Sequence, residues 1–513
     1  MEDNKFGQTP VAPDAFEFAQ QDEKILDAKL ETKKIGFFRD AMSRFAANKG
    51  SIVAAAIIGV LMLFSIIAPF VSGHTAGEME DFYTNCLPKV SQNATGFWDG
   101  TKDGDVTDLE YVRDSLYGRY TKVYSVYQDG DEVMGYTTHY KVRIDTYKVG
   151  CKYKTFSATD FEKVRLYDEQ LEDESKRILQ PLVAYTAYAQ EYVDEYYPGS
   201  PMAATVAQQL TSHYMQDANF CYKMTHNRQP IYDDEGNVQY IYKVDGEGNY
   251  IRWQQNSSGS IETRINYENY YYYVHGHHCF YVFGSDTAGR DILTRLAVGG
   301  RLSLALGFAV TLINLIIGII YGAIEGYYGG VTDLVMERIS EILSEIPFTV
   351  VVVIFQTYYV RVYGASPVLS LAVAFIVTGW LGTAATTRMQ FYRYKGQEYI
   401  LASRTLGAND AHLIFRHILP NAAGTLVTSS VLMVPGVIFS ESMLSYLNII
   451  NFEETGMTSI GTMLSLGQRV YTTFPHEIFF PALFISLLMI CFNIFGNGLR
   501  DAFNPQLRGA GNE

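Results

Sequence analysis

Six apolar blocks constrain this chain more than any other feature of its sequence. A helix needs roughly 20 residues to cross a bilayer core of about 30 Å. The blocks have about that length and lie at 51–71, 302–323, 342–360, 368–386, 422–447 and 478–498. Inside a bilayer every backbone polar group must be hydrogen-bonded within its own segment, so such blocks fold as helices. The sequence therefore predicts an α-helical polytopic membrane protein with six transmembrane helices.

Basic residues on the connections indicate how these spans are oriented. They precede the first span and separate the fourth from the fifth, at Lys33, Lys34, Arg39, Arg44, Lys49, Arg388, Arg393, Lys395, Arg404 and Arg416. Short cytoplasmic connections are enriched in lysine and arginine. We therefore predict a multi-pass protein of the cell membrane whose terminal segments, 1–50 and 499–513, are both cytoplasmic. Residues 1–50 are too polar for a removable signal peptide, so 51–71 should remain as the first transmembrane helix.

A long polar segment, 75–281, separates the first span from the second. It carries most of the 39 tyrosines and most of the net charge of −15. Strand-like runs at 122–142 and 147–156 precede a helical stretch at 160–218, and glycine-containing turns punctuate the strands that follow. Because the preceding span starts in the cytoplasm, we predict an inserted extracellular domain of the α+β class. Its tyrosines form either a platform for peptides or sugars, or the core and rim of the domain.

Four of the five cysteines, Cys86, Cys151, Cys221 and Cys279, fall in this inserted segment. Disulfides persist outside the cell, and an even number of cysteines is compatible with a disulfide framework. The sequence leaves two alternatives open. Either the thiols are free, or they are bridged, in which case pairing Cys86 with Cys279 and Cys151 with Cys221 would close the stem of the domain.

Residues with metal-binding or catalytic chemistry are few. His275, His277 and His278 lie beside Cys279 and form the one cluster of metal-ligand types. Neighbouring side chains on a strand point to opposite faces, so we predict no metal site there. The sequence has no GxxxxGK[ST] phosphate loop and no HExxH or GxSxG motif. We therefore predict a chain that is not an enzyme and that binds no cofactor itself.

The segment 398–421, EYILASRTLGANDAHLIFRHILPN, is a polar helix–turn–helix pattern between two apolar spans. Gly407 marks the turn, and Pro420 is expected to end the second helix. Four further motifs are FGSDTAGRDILTRLAVGGRLSL (283–304), GYYGGVTD (326–333), ESMLSYL (441–447) and NGLRDAFNPQL (497–507). Together they resemble the C-type permease subunits of ATP-binding-cassette (ABC) importers in the oligopeptide, dipeptide and nickel branch. The resemblance covers 39–71 and 282–508 and leaves out the inserted domain.

This resemblance implies a type I ABC importer fold in which 302–498 is the transmembrane core. It implies a transport subunit without its own ATPase site that moves oligopeptides into the cell, with dipeptides or nickel as alternative cargo. The implied partners are a homologous second permease, two cytoplasmic ABC ATPases that hydrolyse ATP with Mg²⁺, an extracellular substrate-binding protein and membrane lipid, without nucleic acid. A membrane-anchored receptor whose working part is the inserted domain is an alternative from another class.

The resemblance also implies roles for particular residues. In the cytoplasmic loop 388–421, contacts that couple the chain to the ATPases are implied for Glu398, Ala402, Ser403, Arg404, Gly407, Ala408, Phe415 and Pro420. Leu401 stands where the family has a glutamate. An outer interfacial helix at 283–301 is implied to lie flat on the membrane and to brace the outer mouth through Asp286, Gly289, Arg290, Asp291, Arg295 and Arg301. A carboxylate inside a span is costly, so Glu441 is either a residue of the translocation path or a hydrogen-bonded packing residue.

Overall fold

The structure of the protein is a computed structural model that describes residues 37–131 and 135–503. Most of the predicted terminal segments 1–50 and 499–513, including the basic residues Lys33 and Lys34, lies outside the described residues.

Two helices, α1 (Phe37–Ala47) and α2 (Lys49–Val71), open the described chain. Between them Asn48 caps the second helix, because its Oδ1 accepts a hydrogen bond from the backbone N–H of Ser51 at 3.2 Å. The ring of Phe45 packs edge-on against that of Phe495, with 5.3 Å between their centroids. The first helix therefore lies against the C-terminal part of the chain.

The residues between 75 and 281 form a mixed unit, called the insert below. Its helices are α3 (Asp108–Ser115), α4 (Ala158–Glu169), α5 (Tyr185–Tyr196), α6 (Ala203–Gln216) and α7 (Tyr267–His275). Its strands are β1 (Thr101–Thr107), β2 (Tyr120–Asp131), β3 (Gly135–Asp145), β4 (Cys151–Phe156), β5 (Leu179–Gln180), β6 (Trp253–Gln255) and β7 (Ile261–Asn266). Strands β1, β3 and β2 form one antiparallel sheet in that order, and β4, β7 and β5 form another, in which β6 also pairs with β7. Helices and strands are mixed as the α+β prediction expects.

Tyrosine side chains fill much of the core of the insert. Tyr83, Tyr214, Tyr222 and Tyr281 are each almost fully buried. Burial of a phenol requires a partner for its hydroxyl, and the Tyr214 hydroxyl donates to the backbone oxygen of Tyr222 at 2.6 Å. These four tyrosines therefore belong to the core of the insert and do not form a platform for peptides or sugars.

The prediction that the histidine cluster lies on a strand is wrong. Helix α7 runs to His275 and ends because Gly276 adopts the left-handed conformation, with φ of 74°. Among the residues that the structure describes, no group of three or more histidines, cysteines, aspartates or glutamates could hold a metal ion.

Hydrogen bonds rather than disulfides close the stem of the insert. The backbone N–H of Cys86 donates to Oγ of Ser285 at 2.8 Å, and the Ser285 hydroxyl donates to the backbone oxygen of Tyr83 at 2.5 Å. All five cysteines are free thiols in the described chain. The Cys86 thiol donates to the backbone oxygen of Thr146 at 3.4 Å, and burial raises the pKa of the Cys279 thiol to about 12. The structure therefore has the free-thiol alternative, and the pairing of Cys86 with Cys279 and Cys151 with Cys221 is not formed in it.

The rest of the chain is a helical core. Its helices are α8 (Ile292–Tyr328), α9 (Gly330–Ser344), α10 (Phe348–Phe355), α11 (Pro367–Gly379), α12 (Leu381–Lys395), α13 (Glu398–Thr405), α14 (Asp410–His412), α15 (Leu419–Tyr446), α16 (Ile460–Gln468) and α17 (His476–Phe503). Two π-helical turns, Gln356–Val362 and Leu413–Ile418, extend α10 and join α14 to α15. Apolar side chains of α2, α8, α15, α16 and α17 form the largest buried cluster of this core.

Five stretches of the described chain are long and apolar enough to cross a membrane. They are Lys49–Val71, Ile292–Tyr328, Pro367–Lys395, Asp410–Tyr446 and His476–Phe503. A sixth span results if α9 and the segment Phe348–Val362, bent by 71° where Pro347 interrupts the helix, are counted as one. The structure thus agrees with a multi-pass membrane protein of five to six spans.

Helix α8 corrects the prediction of an outer interfacial helix at 283–301. The helix begins at Ile292 and continues for 37 residues through the second apolar block. Residues 283–291 are not helical, and Asp291 caps α8 by accepting from the backbone N–H groups of Leu293 and Thr294. The outer motif is therefore a capped turn followed by the start of the span, and not a helix that lies flat on the membrane.

Three glycines four residues apart allow α8 and α12 to approach each other closely. A Cβ at Gly322 would lie 2.2 Å from the backbone oxygen of Ala384, and one at Gly326 would lie 2.8 Å from that of Arg388. A Cβ at Gly318 would lie 2.6 Å from the Cβ of Thr383, also on α12. Small residues at this spacing bring the backbones of membrane helices together where lipid provides no hydrophobic driving force.

We expect Gly322→Ala to destabilise the protein by about 1–3 kcal/mol, the usual cost of overpacking a tight interface. Thermal unfolding of the chain in detergent would show this as a lower midpoint. Gly59→Ala on α2 is the matched control, since no described atom lies within 4 Å of a Cβ built there. Equal unfolding midpoints for the two variants would show that α8 and α12 can move apart at Gly322 without loss of stability.

Candidate functional site

The segment 398–421 forms a helical hairpin with one buried side. Ile400 on α13 and Leu413 and Ile418 on the following turn are fully buried. They pack with Phe391 of α12 and with Tyr327 at the end of α8. The hairpin is therefore fixed on the ends of two transmembrane helices.

Gly407 forms the turn of this hairpin, as predicted, with φ of +86°. Asn409 then starts α14, because its Oδ1 accepts from the backbone N–H of His412 at 2.8 Å. The prediction that Pro420 ends the second helix is wrong. Pro420 lies in the first turn of α15, where a missing backbone N–H is tolerated. The helix from Asp410 therefore continues through it into the fifth span.

A chain of polar contacts ties the hairpin to α8. Nη2 of Arg404 donates to the hydroxyl of Tyr327 at 3.1 Å, and that hydroxyl donates to the carboxylate of Asp410 at 2.5 Å. Both arms of the hairpin are thus held by one side chain at the end of α8. A force on the hairpin would reach this transmembrane helix directly.

The other side of the hairpin is an exposed apolar surface. Leu401, Leu406 and Phe415 are 48%, 88% and 66% exposed. Exposed apolar groups on a rigid support mark contact sites for other proteins. Leu401, which replaces the family's glutamate, adds to this surface. We call these three residues the hairpin surface.

The remaining residues implied for this loop are distributed around the hairpin. Glu398, Ala402 and Pro420 are exposed, and Ala408 is half-buried. The hydroxyl of Ser403 lies 3.3 Å from Nε2 of His417 on the other arm. The structure therefore brings the implied residues together on one element but gives them different degrees of exposure.

An ion cluster next to the hairpin joins three helices. Arg388 on α12 donates to Asp333 at 2.6 Å and to Glu337 at 2.7 Å, both on α9. Its Nε also lies 3.4 Å from the carboxylate of Glu325 on α8. The guanidinium of Arg388 thus connects α8, α9 and α12 beside the hairpin.

A second ion network lies at the opposite end of α8. Arg290 donates to Asp286 at 3.0 Å and to Glu453 at 2.7 Å. Arg295, which is 2% exposed, donates to the same two carboxylates, and its Nη2 also donates to Thr458 at 3.2 Å. Burial lowers the pKa of Arg290, but Asp286 and Glu453 outweigh this effect and raise it above its usual value. The network connects the outer motif to the connection between α15 and α16.

Two other residues of the outer motif have different positions. A Cβ at Gly289 would lie 2.1 Å from the backbone oxygen of Glu80, so this glycine is required where the insert leaves the core. Arg301 is exposed on α8. The motif thus contributes buried ion pairs and a close backbone contact to the junction between core and insert.

Glu441 is enclosed within the helical core. It has no exposed surface, and its carboxylate accepts hydrogen bonds from the hydroxyls of Ser303 at 2.7 Å, Ser445 at 3.1 Å and Ser442 at 3.3 Å. A buried carboxylate with three donors is satisfied without a ligand. In this structure Glu441 is therefore a hydrogen-bonded packing residue. Its side chain does not face an open path.

Comparison with known proteins decides the family. Residues 36–88 match the family described as the N-terminal TM domain of oligopeptide transport permease C, and residues 314–509 match the binding-protein-dependent transport system inner membrane component. The oligopeptide transport system permease protein OppC of Bacillus subtilis (strain 168) is 42% identical over 226 residues, 44% of this chain and 72% of that protein. The chain belongs to the OppC-like permeases of ABC importers.

Other relatives of the permease agree with this assignment. The dipeptide transport system permease protein DppC of Bacillus subtilis (strain 168) is 40% identical over 227 residues, 44% of this chain and 69% of that protein. OppC of Salmonella typhimurium is 39% identical over 226 residues, 44% of this chain and 72% of that protein. Among solved structures, the inward facing MetNI methionine ABC transporter is 18% identical, with 41% of this chain and 96% of that chain covered. The TM-score of this match is 0.34, so the family assignment rests on the sequence relatives alone.

Sequence reasoning missed three residues of these sites. Tyr327 lies in the recognised motif at 326–333, but nothing local indicated that its hydroxyl bridges the hairpin. Arg388 is one of the basic residues that predict a cytoplasmic connection, but nothing local indicates that it pairs with Asp333 and Glu337. Glu453 lies far along the chain from Arg290 and Arg295, and the outer motif holds its own carboxylates at Asp286 and Asp291, so no local signal indicates that Glu453 is a partner.

Proposed function

We propose that the chain is the transmembrane permease subunit of an ATP-driven importer that moves oligopeptides into the cell. The observation that carries this proposal is the hairpin surface, an exposed apolar patch on an element fixed to α8 and α12. Such an arrangement suits a docking site for a separate motor, because the load passes into transmembrane helices without bending the hairpin. Membership of the OppC-like family supplies the importer context.

The proposal assigns roles to the residues around the hairpin. Leu406 and Phe415 dock into the ATPase, while Glu398, Ala402 and Ser403 border the contact. Arg404 and Ala408 hold the two arms together, Gly407 sets the turn, and Pro420 lies where the hairpin joins α15. In the same proposal Glu441 stabilises the packing of α8 against α15 and α16, and the outer ion network braces the mouth.

The partners follow from the same assignment. A homologous permease completes the pathway, two ABC ATPases bind on the cytoplasmic side, and a binding protein delivers substrate from outside. Because the chain has no phosphate loop, it is not an enzyme, and ATP with Mg²⁺ is hydrolysed by the partner subunits. In this proposal the hairpin and both termini lie in the cytoplasm and the insert lies outside the cell, as the distribution of basic residues favours.

Oligopeptide is the proposed cargo for one specific reason. The N-terminal region matches a domain named for oligopeptide transport permease C, and two of the relatives reported above are oligopeptide permeases. Dipeptide is the second candidate because the DppC relative has nearly the same identity.

Reconstitution of the complete importer in liposomes tests the proposal. We expect a labelled pentapeptide to enter only when the permease pair, the ATPases, the binding protein and hydrolysable ATP are all present. A labelled dipeptide in parallel separates the two candidate cargoes. Purification of the chain without any ATPase or second permease, together with absence of ATP-dependent uptake, would overturn the transport function.

A further inference from the structure

A cavity of about 380 Å³ lies where the insert meets the helical core. Its walls come from β1, β4, α3 and the loop around Phe82 on the insert side, and from Phe474, on the connection before α17, on the core side. The cavity therefore lies at the junction between the insert and the core. The volume is large enough for a short peptide, since ligand pockets typically start at about 300 Å³.

Two lysines in this cavity lack a carboxylate partner. Nζ of Lys102 lies 4.8 Å from the ring centroid of Phe474, and Nζ of Lys152 lies 5.1 Å from that of Phe82. Neither lysine forms an ion pair with any residue that the structure describes. Burial, and then the charge of nearby Arg119, lower the pKa of the Lys102 amine, and burial lowers the pKa of Lys152 against the opposing effect of the Asp217 carboxylate. Both ammonium groups would be stabilised by an added negative charge.

The two arginines of the cavity are neutralised by its two aspartates. Asp114 accepts from Arg113 at 2.7 Å and from Arg119 at 3.0 Å, and Asp217 accepts from Arg113 at 3.4 Å. The carboxylate of Glu110 accepts from the backbone N–H of Thr107 at 2.9 Å, as part of the cap of α3. The four basic and three acidic side chains that line the cavity thus leave a net charge of +1, which one added carboxylate would neutralise, within an insert whose overall charge is negative.

Asn85 adds an unpaired hydrogen-bonding group to the same cavity. Its side-chain oxygen is buried without a hydrogen-bond partner among the described residues, although buried amide oxygens are nearly always paired. Its backbone has φ of 53°, an uncommon conformation for a residue other than glycine. Such an acceptor would take an N–H group of a ligand whose negative end contacts the lysines.

We propose that this cavity binds the terminal carboxylate of a short peptide between Lys102 and Lys152. The assignment rests on the proposed function, which makes peptides the molecules that pass this junction. Asn85 accepts a peptide N–H, and the rings of Phe82 and Phe474 contact the apolar part of the ligand. Lysine ammonium groups beside aromatic rings, next to the unpaired side-chain oxygen of Asn85, match a peptide better than they match a simple inorganic anion.

Calorimetric titration of the full-length permease, purified with its partner permease in detergent, tests this assignment. We expect trialanine to bind and its C-terminal amide to bind about tenfold or more weakly, because the charge-assisted hydrogen bonds to the carboxylate are lost. Equal affinity for the acid and the amide, or no binding of trialanine, would overturn the proposal. Binding of inorganic phosphate without binding of trialanine would also overturn it.

Matched lysine variants locate the site. The double variant Lys102→Gln/Lys152→Gln should lose trialanine binding, whereas Lys154→Gln should retain it. Lys154 is on the same strand as Lys152 and lies over the ring of Tyr270 at 4.6 Å, but does not line the cavity. Unchanged binding by the double variant would refute the site. The measurement needs neither ATPase nor transport, so its failure is distinct from failure of the proposed function, which would show as absent ATPase or absent uptake.

Discussion

Replacing Arg295 with leucine should lower the free energy of unfolding of the permease by about 3 kcal/mol or more. Arg295 is almost fully buried and donates to both Asp286 and Glu453. Its removal leaves two carboxylates with Arg290 as the remaining partner, and an uncompensated buried charge is costly. The side chain of Glu453 is 25% exposed, so water offsets part of this cost. We therefore expect the loss of unfolding free energy to be close to 3 kcal/mol, the lower end of the range of about 3–5 kcal/mol for breaking a buried ion pair. Thermal unfolding of the purified permease in detergent measures the effect as a lower midpoint.

Two further variants distinguish the effect of breaking the ion network from the effect of removing an arginine at any position of α8. Arg301→Leu, an exposed position on the same helix, should leave the midpoint close to that of the unaltered permease. Adding Glu453→Gln to Arg295→Leu should recover part of the loss, because one unpaired charge is then removed. If Arg295→Leu unfolds at the same temperature as Arg301→Leu, the network does not hold the outer motif to the core.

Replacing Phe415 with aspartate should separate the permease from its ATPases. The side chain is 66% exposed on the hairpin surface, so the substitution should not disturb the fold. A charge at the centre of an apolar contact commonly costs about 2 kcal/mol or more, which is about 30-fold in affinity. We therefore expect the ATPases to be lost during affinity purification of the tagged permease, and ATP-dependent uptake to fall to background.

Phe415→Leu is the matched control, since it keeps an apolar side chain at the same place and should retain most of the ATPase. Gly407→Trp acts on the same contact by another route. A side chain at φ of +86° is strained, so this variant should distort the turn and weaken ATPase binding as well. Full recovery of the ATPases with Phe415→Asp would show that the motor docks elsewhere.

Five of the six predicted spans were predictable because their signal is local, whereas the one predicted at 342–360 crosses the bend between α9 and Phe348–Val362. The block predicted at 51–71 is the helix Lys49–Val71, and the one predicted at 478–498 lies within His476–Phe503. Length and apolar content decide such helices, and neither depends on distant residues. The hairpin turn at Gly407 was predictable for the same reason, since a positive φ favours glycine wherever the chain is.

The outer motif and Pro420 were mispredicted because local rules permit two outcomes at each. The charged start of the second span fits a helix at the membrane surface or a buried network, and Glu453, far along the chain, decides for the network. Proline ends a helix from within but is accepted in a first turn, and here the helix of the hairpin continues through Pro420 because a π-helical turn precedes it.

Local sequence was sufficient to predict the membrane class, five of the spans, the family and the mixed character of the insert. Each of these depends on residue types within one segment or on motifs of a few residues. Tertiary structure alone decided the free thiols, the glycine contact of α8 with α12, the two ion networks, the enclosure of Glu441 and the cavity between Lys102 and Lys152. These features exist only where segments remote in sequence approach within a few ångströms, and hydrophobicity along the chain carries no information about that distance.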